Sequence, residues 1–138
     1  MRGPALAALL ALMAPAAWAS TVTVQVTGVA SAEGQVYVGL CRTALDPAAC
    51  PLGDSRPARP GTMRFTFRNV PAGPIAVAVY QDVNGNGQLD RNVIGIPSEP
   101  YGFSNDVGRI AIPTFARAQV RVDEPATTIP VRLARFGG

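Results

Sequence analysis

The chain has 138 residues, and its net charge of +3 comes from twelve basic residues, all of them arginine, against nine acidic ones. The arginines are scattered without a basic run or interleaved aromatic residues, which argues against nucleic-acid binding. Histidine is absent, which excludes Ser–His and Cys–His nucleophilic pairs and any zinc site that needs an imidazole ligand.

The first 19 residues have the three parts of a secretory signal peptide. Arg2 supplies a positive charge, residues 5–14 form an apolar run, and a small-x-small pattern ends at Ala19. We therefore expect cleavage between Ala19 and Ser20, which leaves residues 20–138 as a single domain in the periplasm or outside the cell. The apolar run is too short to cross a bilayer, and no later segment reaches 18 apolar residues, so we expect no membrane span in the exported chain.

Two segments near the start of the predicted domain alternate between apolar and polar residues. In residues 21–29 and 35–40 the apolar side chains recur at every second position, as in strands with one buried face. Glu33-Gly34 between them is typical of a turn. We interpret residues 21–40 as a hairpin or as two adjacent strands.

Cys41 and Cys50 are the only cysteines. In an oxidising compartment the simplest interpretation is a disulfide, which would stabilise the fold by roughly 2–3 kcal/mol for a loop of about ten residues. The alternative is a redox or metal-binding pair, which the spacing and the lack of histidine disfavour. The proline-rich residues 42–61 are predicted to form a long loop that this disulfide ties at its base.

Further strand patterns follow along the chain. Residues 62–68 alternate, and residues 75–80 form a nearly continuous apolar run, which is typical of a central strand covered on both faces. A short helical turn is predicted near 113–117, and residues 118–122 and 127–133 are predicted to be two closing strands.

Residues 81–115 are rich in Gly, Asn, Asp and Pro and show little periodicity. We interpret them as a long ordered loop, because a random segment would not carry so many large apolar side chains. About six to eight short strands separated by Gly/Pro turns predict an all-β fold, a small antiparallel β-sandwich.

Residues 82–90 read Asp-Val-Asn-Gly-Asn-Gly-Gln-Leu-Asp, and they are the segment of the sequence that most resembles a ligand-binding motif. The spacing D-x-N-x-N-G-x-x-D matches the first nine positions of a calcium-binding loop. Ca²⁺ prefers oxygen ligands, and alternate positions of a tightly curled loop can direct oxygens inward. The predicted ligands are the side chains of Asp82, Asn84, Asn86 and Asp90 and the backbone carbonyl of Gln88.

This predicted site is incomplete. Its twelfth position is Val93, where a bidentate carboxylate normally closes the coordination shell. Glu99 is the nearest acid that could replace it, if residues 91–98 fold back. With Asp82 and Asp90 as the charged ligands of the loop itself, we expect weak binding, with a Kd of about 10⁻⁴–10⁻³ M. The alternative is a metal-free turn, because Asn and Gly readily adopt positive φ.

The loop that follows suggests a second kind of site. Tyr101 and Phe103, with Asn105 beside them, could present two aromatic rings to a sugar or a peptide. The same residues could equally cap the open end of the sandwich.

Three functional hypotheses remain from the residues. The first is a non-enzymatic binding or structural module with an envelope protein or a glycan as partner. The second is a metal-dependent enzyme that uses Asp82, Asp90 and Glu99. The third is an interaction domain that adds a partner's strand to an exposed sheet edge.

Several blocks of the chain together resemble one bacterial family. They lie at residues 69–73 (NVPAG), 76–80 (AVAVY), 82–90 (DVNGNGQLD), 95–105 (GIPSEPYGFSN) and 113–118 (PTFARA). The chain resembles the DUF2141 family, exported proteins of uncharacterised function found largely in Gram-negative bacteria. The resemblance implies a periplasmic or secreted sandwich of the transthyretin-like or immunoglobulin-like kind, and it implies no activity.

Two positions depart from the family pattern. The family often has a histidine before the first Asp of the loop and an acidic residue after it, where this chain has Gln81 and Val83. Glutamine is a poor transition-metal ligand and cannot shuttle a proton. The resemblance therefore does not support a histidine-dependent metal enzyme here.

Overall fold

The computed structural model describes Gly3 and residues 19–138, so most of the predicted signal peptide lies outside the described residues. Ala19 and Ser20, between which cleavage is predicted, begin the first strand. The described chain contains eight strands and one short α-helix. They are β1 (Ala19–Val29), β2 (Gln35–Cys41), β3 (Leu52–Pro57), β4 (Gly61–Pro71), β5 (Gly73–Asp82), β6 (Tyr101–Phe103), α1 (Phe115–Ala118), β7 (Val120–Val122) and β8 (Ala126–Arg132), with 3₁₀ turns at Pro47–Ala49 and Ser104–Asp106.

The strands form two packed sheets. One has the order β4–β1–β8 and the other the order β3–β2–β5–β6, with β7 beside the start of β5. The pairs among the described strands are antiparallel except β1 with β8, which run parallel. The structure confirms the predicted all-β sandwich of largely antiparallel sheets.

The core between the sheets follows the predicted alternation. The apolar faces of β1, β2 and β4 are buried together, through Val22, Val24, Val26, Val36, Val38, Leu40, Met63, Phe65 and Phe67. In β5 the successive residues Ile75, Ala76 and Val77 are all fully buried, as expected for a central strand covered on both faces. Each large apolar side chain buried in this way stabilises the fold by about 1.5–3 kcal/mol.

β1 and β2 do not pair, so the interpretation of residues 21–40 as a hairpin or adjacent strands is wrong. β1 pairs with β4 and β8, whereas β2 pairs with β3 and β5. The chain crosses from one sheet to the other between them, and their apolar faces join the same core. Alternation predicts which side chains are buried, but it does not predict the sheet, because both sheets of a sandwich bury one face.

The predicted loop at 42–61 contains β3, which the sequence analysis missed. β3 pairs with β2 from Leu52 to Pro57 and has no other partner among the described strands. As an edge strand with mostly exposed side chains, it lacks the alternation that marks a half-buried strand. A proline is tolerated there, because the outer side of an edge strand has no neighbour that needs its N–H.

The end of the chain differs from its prediction in one respect. The predicted helical turn is present as α1, with Thr114 as its N-cap. The predicted strand at 118–122 begins only at Val120, and the two closing strands lie in different sheets. β7 extends the sheet of β5, whereas β8 borders β1.

Arginine side chains cover both open sides of the sandwich. The Arg56 guanidinium of β3 lies 4.1 Å from the ring centre of Phe65 in β4 and donates to a backbone carbonyl of β4. On the opposite side the buried Arg109 donates to the carbonyl of Tyr101 in β6 and to that of Arg132 in β8. These contacts occupy carbonyls that an incoming strand would need, which disfavours strand addition at these positions.

Cys41 and Cys50 form the predicted disulfide. Cys41, at the end of β2, is fully buried in a second, smaller apolar cluster with Ala76 of β5 and Ala118 of α1. This cluster lies on the outer face of the five-stranded sheet, opposite the main core. The disulfide and α1 therefore cover one part of that face.

Replacing both cysteines by alanine should lower the free energy of unfolding by about 2–3 kcal/mol, because the unfolded chain regains the freedom of a roughly ten-residue loop. Urea unfolding of the unmodified protein and of Cys41→Ala/Cys50→Ala, each with and without dithiothreitol, measures this difference. Dithiothreitol should lower the free energy of unfolding of the unmodified protein and leave that of the variant unchanged. An equal response of the two proteins would contradict the prediction.

Asp106 connects two of the edge arginines. Its carboxylate accepts hydrogen bonds from Arg109 Nε at 3.2 Å and from Arg132 Nη2 at 3.0 Å. Burial acts to raise the pKa of Asp106, but the hydrogen bonds from Arg132 and Arg109 outweigh it, and the pKa lies below its ordinary value. The ionised form of Asp106 therefore stabilises the folded state.

This lowered pKa predicts a pH-dependent contribution to stability. The contribution is complete above the unfolded-state pKa of about 3.9 and is lost as the pH falls through the lower folded-state pKa. Asp106→Asn should reduce the free energy of unfolding above about pH 5, by at most about 1 kcal/mol because the carboxylate is half exposed. Chemical unfolding between pH 2.5 and 7 measures the difference, with Asp123→Asn in the exposed pair with Arg121 as the control. A difference independent of pH would contradict the assignment.

Candidate functional site

β5 places a buried carboxylate at the start of the 82–90 loop. Asp82 ends β5 and is only 1% exposed. Its Oδ1 accepts a hydrogen bond from Asn86 N at 3.2 Å, and its Oδ2 accepts one from Gly87 N at 2.7 Å. Gly85 and Gly87 have φ values of 72° and 76°, in the left-handed region that other residues rarely adopt. The carboxylate thus holds the loop in a tight curl.

Two asparagine amides lie against Asp90 inside this curl. Asn84 Nδ2 donates to Asp90 Oδ2 at 2.5 Å, and Asn86 Nδ2 donates to Asp90 Oδ1 at 2.6 Å. The amide oxygens accept from the backbone, Asn84 Oδ1 from Asn86 N at 3.3 Å and Asn86 Oδ1 from Gln88 N at 3.0 Å. The loop therefore pairs its own polar groups, and a cation would have to replace the amide–carboxylate contacts.

Glu99 closes the loop from the other end. The residue is 6% exposed, and its Oε2 accepts from Val83 N at 2.6 Å while its Oε1 accepts from Asp90 N at 2.8 Å. The segment between Asp90 and Glu99 folds back, since Ser98 N donates to the Asp90 carbonyl at 2.8 Å. This is the arrangement under which Glu99 was expected to approach the loop.

The structure brings the side chains of five of the six predicted ligands into one hydrogen-bonded network. They are Asp82, Asn84, Asn86, Asp90 and Glu99. The sixth, Gln88, joins through its backbone N–H rather than through the predicted carbonyl, and Val93 is fully exposed. Within residues 19–138 no three Asp, Glu or Cys side chains are grouped closely enough to hold a metal ion by themselves. Calcium binding stays a prediction that also requires amide or backbone oxygens.

Tyr80 supports the loop from the sheet. Its ring stacks on that of Tyr37 with centroids 5.1 Å apart, and its hydroxyl donates to the Gly87 carbonyl at 3.1 Å. Burial raises the pKa of Tyr80, with further contributions from Tyr37 and the carboxylates of Asp82 and Glu99. The hydroxyl therefore stays protonated and remains a donor to the loop at neutral pH.

Gln81, which precedes the loop, ties the sheet to the turn between β1 and β2. It is buried, and its Nε2 donates to the carbonyl of Glu33 at 2.8 Å and to Ser31 Oγ at 3.1 Å. The side chain is thus committed to holding residues 31–33 in place.

Tyr101, Phe103 and Asn105 have different surroundings. Tyr101 is buried and donates its hydroxyl to the Gly108 carbonyl, and Asn105 Nδ2 donates to carbonyls on either side of the α1 C-terminus at 3.0 Å. These contacts match the capping interpretation. Phe103 is only partly buried and borders open space in two adjoining clefts, whereas Tyr101 lines one of them.

That open space is a groove that the sequence analysis missed. Two clefts of about 640 Å³ and about 470 Å³ adjoin along shared lining residues, Leu45, Pro47, Leu89, Arg91 and Phe103. The larger cleft is walled by Ile94, Ile96, Ile110, Ile112 and Phe136. We call the two clefts together the outer groove.

The outer groove shows where several apolar side chains of residues 81–115 lie. The large apolar side chains of this segment were the reason for predicting an ordered loop, yet Ile110 is 86% exposed and Ile112 is 87% exposed. No periodic pattern distinguishes an apolar side chain that walls a groove from one that enters a core, so the sequence alone carried no signal for this surface.

The fold and the loop define a class of protein, a small all-β sandwich whose Asp/Asn-rich loop is closed by a distant glutamate. The chain belongs to the DUF2141 family, described as uncharacterised proteins conserved in bacteria, whose model matches residues 24–130. This confirms the resemblance seen in the sequence. Comparison with curated proteins and with solved structures returns no match. Among the described residues, no helix has the length and apolar character needed to cross a membrane.

Glu99→Gln should open the loop. An amide has one acceptor oxygen where the carboxylate has two, so either Val83 N or Asp90 N faces an NH₂ group and loses its acceptor. Since hydrogen bonds to charged groups contribute about 1.5–3 kcal/mol, we expect the free energy of unfolding to fall by about that amount. Amide hydrogen exchange at Val83 and Asp90, together with urea unfolding, provides the measurement.

The matched control is Glu33→Gln, which changes an exposed acid outside the loop and should leave both measurements unchanged. Retained protection of both amides in Glu99→Gln would show that the carboxylate does not hold the loop.

Proposed function

We propose that this chain is an exported, non-catalytic module of the bacterial envelope that binds a ligand or a partner, with its 82–90 loop ordered by weakly bound Ca²⁺. The observation that carries the proposal is the closure of the loop by Glu99, whose carboxylate holds the backbone of Val83 and Asp90 while the Asp90 side chain lies against the amides of Asn84 and Asn86. A loop closed at both ends by hydrogen bonds can form part of a binding surface.

The donor set favours a hard cation. Asp82, Asp90 and Glu99 offer carboxylate oxygens, Asn84 and Asn86 offer amide oxygens, and soft sulfur or imidazole ligands are not among them. A carboxylate oxygen that accepts one backbone N–H keeps a second lone pair. Rotation of either exposed amide by 180° would exchange its NH₂ group for its oxygen. These properties support calcium over a transition metal.

Export is supported by the disulfide. Cys41 and Cys50 are bonded to each other, and such bonds persist in oxidising compartments outside the cytoplasm. The weak affinity expected for the loop is in the range of extracellular calcium modules, about 10⁻⁴–10⁻³ M. Both features suit the compartment that the signal peptide predicts.

The non-catalytic role is proposed from the chemistry of the chain. Without histidine, neither a serine nor a cysteine can be activated by an imidazole base. In the loop, Asp82 and Glu99 are engaged by backbone N–H groups and Asp90 by amide side chains. No particular contact favours the alternative of a metal-dependent enzyme that uses these three acids.

Calcium should raise the thermal stability of the protein. For a Kd near 10⁻⁴ M, about 1 mM Ca²⁺ adds about 1.4 kcal/mol to the free energy of unfolding, which corresponds to a few degrees in Tm. Differential scanning calorimetry in calcium, in magnesium and in EDTA measures the shift. We expect Asp90→Asn to abolish most of it, because the loop then loses one of its charged ligands.

Asp54→Asn is the matched control, because Asp54 is an exposed acid on β3 outside the loop, and it should show the full shift. Identical Tm values in calcium and EDTA, or an undiminished shift in Asp90→Asn, would remove the cation from the proposed function.

A further inference from the structure

Most of the large apolar side chains that are exposed in the described chain line the outer groove. Four of the five line its larger cleft, namely Ile94, Ile110, Ile112 and Phe136. Contiguous exposed apolar surface marks binding sites in soluble proteins. Each cleft has a volume in the range of small-molecule sites.

The charged side chains of the groove lining are Arg91 and Asp46. The Asp46 carboxylate caps the adjacent 3₁₀ turn by accepting from Ala48 N at 3.0 Å. Arg91 lies where the two clefts adjoin, and its Nη1 donates to the Gly95 carbonyl at 3.1 Å. A guanidinium has five N–H donors and can bind a carboxylate through two parallel hydrogen bonds. Apart from the Asp46 carboxylate in the larger cleft, the groove is therefore an apolar surface with one cation, Arg91, where the two clefts adjoin.

The wall beside Arg91 has already paired its own backbone groups. Asn92 Oδ1 accepts from Ile94 N and from Ile96 N, both at 3.0 Å. Asn92 N donates to the Ile96 carbonyl at 2.8 Å, and Gly95 N donates to the Asn92 carbonyl at 2.9 Å. A bound peptide would bring backbone N–H and C=O groups that find few partners on this wall, and leaving such groups unpaired is unfavourable. A hydrocarbon chain has no such groups.

We infer that the outer groove binds a long-chain aliphatic carboxylate, with the chain between the isoleucine walls and the carboxylate against Arg91. The inference rests on the binding role proposed above, and it gives that role a ligand class.

Isothermal titration calorimetry of the purified protein with octanoate, decanoate and dodecanoate, each below its micelle concentration, tests the apolar part. Each additional buried methylene should strengthen binding about fourfold. Decanol and decyltrimethylammonium test the charge, and both should bind at least about tenfold more weakly than decanoate because they lack the anion that pairs with Arg91.

Paired variants separate the two contributions. Arg91→Gln should remove the preference for decanoate over decanol and leave the affinity for decanol unchanged. Arg59→Gln, at an exposed arginine outside the groove lining, should change neither the preference nor the affinity for decanol. Ile112→Thr should lower the affinity for every one of these ligands about five- to tenfold. Val93→Thr, at a fully exposed apolar residue outside the lining, should have no effect.

The inference is overturned by the absence of saturable decanoate binding, by an affinity independent of chain length, or by an unchanged decanoate preference in Arg91→Gln. Binding of an apolar peptide in the groove without decanoate binding, or a dimer that buries Ile112, would likewise replace the proposed ligand. Calcium-dependent stabilisation without carboxylate binding would overturn this inference alone. Carboxylate binding without a calcium response would support it and remove only the cation from the proposed function.

Discussion

Two hydrogen bonds to the Glu99 carboxylate hold the 82–90 loop and the following segment together. Glu99 lies nine residues after Asp90 and sixteen after Val83, and it accepts a backbone N–H from each. A buried carboxylate is strongly unfavourable unless it is paired, and here two main-chain donors supply the pairing. The same contacts anchor both ends of residues 91–98. That segment can therefore present exposed side chains such as Ile94 without a core of its own.

The five-stranded sheet gives this loop a firm base. The disulfide and α1 pack over Ala76 on its outer face, where small side chains allow close approach. Further along the same strand, Tyr80 reaches the loop through its hydroxyl and stacks on Tyr37 of β2. Phe103 of β6 lies between the covered and the open parts of this face. The floor of the groove thus consists of paired strands, whereas its upper walls consist of loops.

A feature of this fold could be predicted from the sequence where its residue pattern lies within one short segment. Burial of Val22, Val24 and Val26 follows from a period of two, which needs no knowledge of the rest of the fold. Strand pairing cannot be predicted in this way, because it joins segments that are distant in the sequence. β3 shows no alternating pattern, because an edge strand with mostly exposed side chains buries little of either face. Glu99 could be named as a candidate because few acids are near the loop. The backbone N–H groups that Glu99 binds could not be predicted, because they depend on how residues 91–98 fold back. The exposure of Ile110 and Ile112 could not be predicted either, because the same apolar residue types occur in a core and in the wall of a groove.

Under the two proposals, the cation and the carboxylate ligand act on one short segment. Asp90 points into the loop network, while its chain neighbours Leu89 and Arg91 line both clefts of the outer groove. The buried Asp82 and Glu99 carboxylates are held by main-chain donors, so the movable part of the network is the exposed amide pair that contacts Asp90. Replacement of those amides by a cation would shift Asp90 and, through the backbone, Arg91. Because coupling between two bound ligands is reciprocal, any gain in carboxylate affinity caused by calcium must equal the gain in calcium affinity caused by the carboxylate.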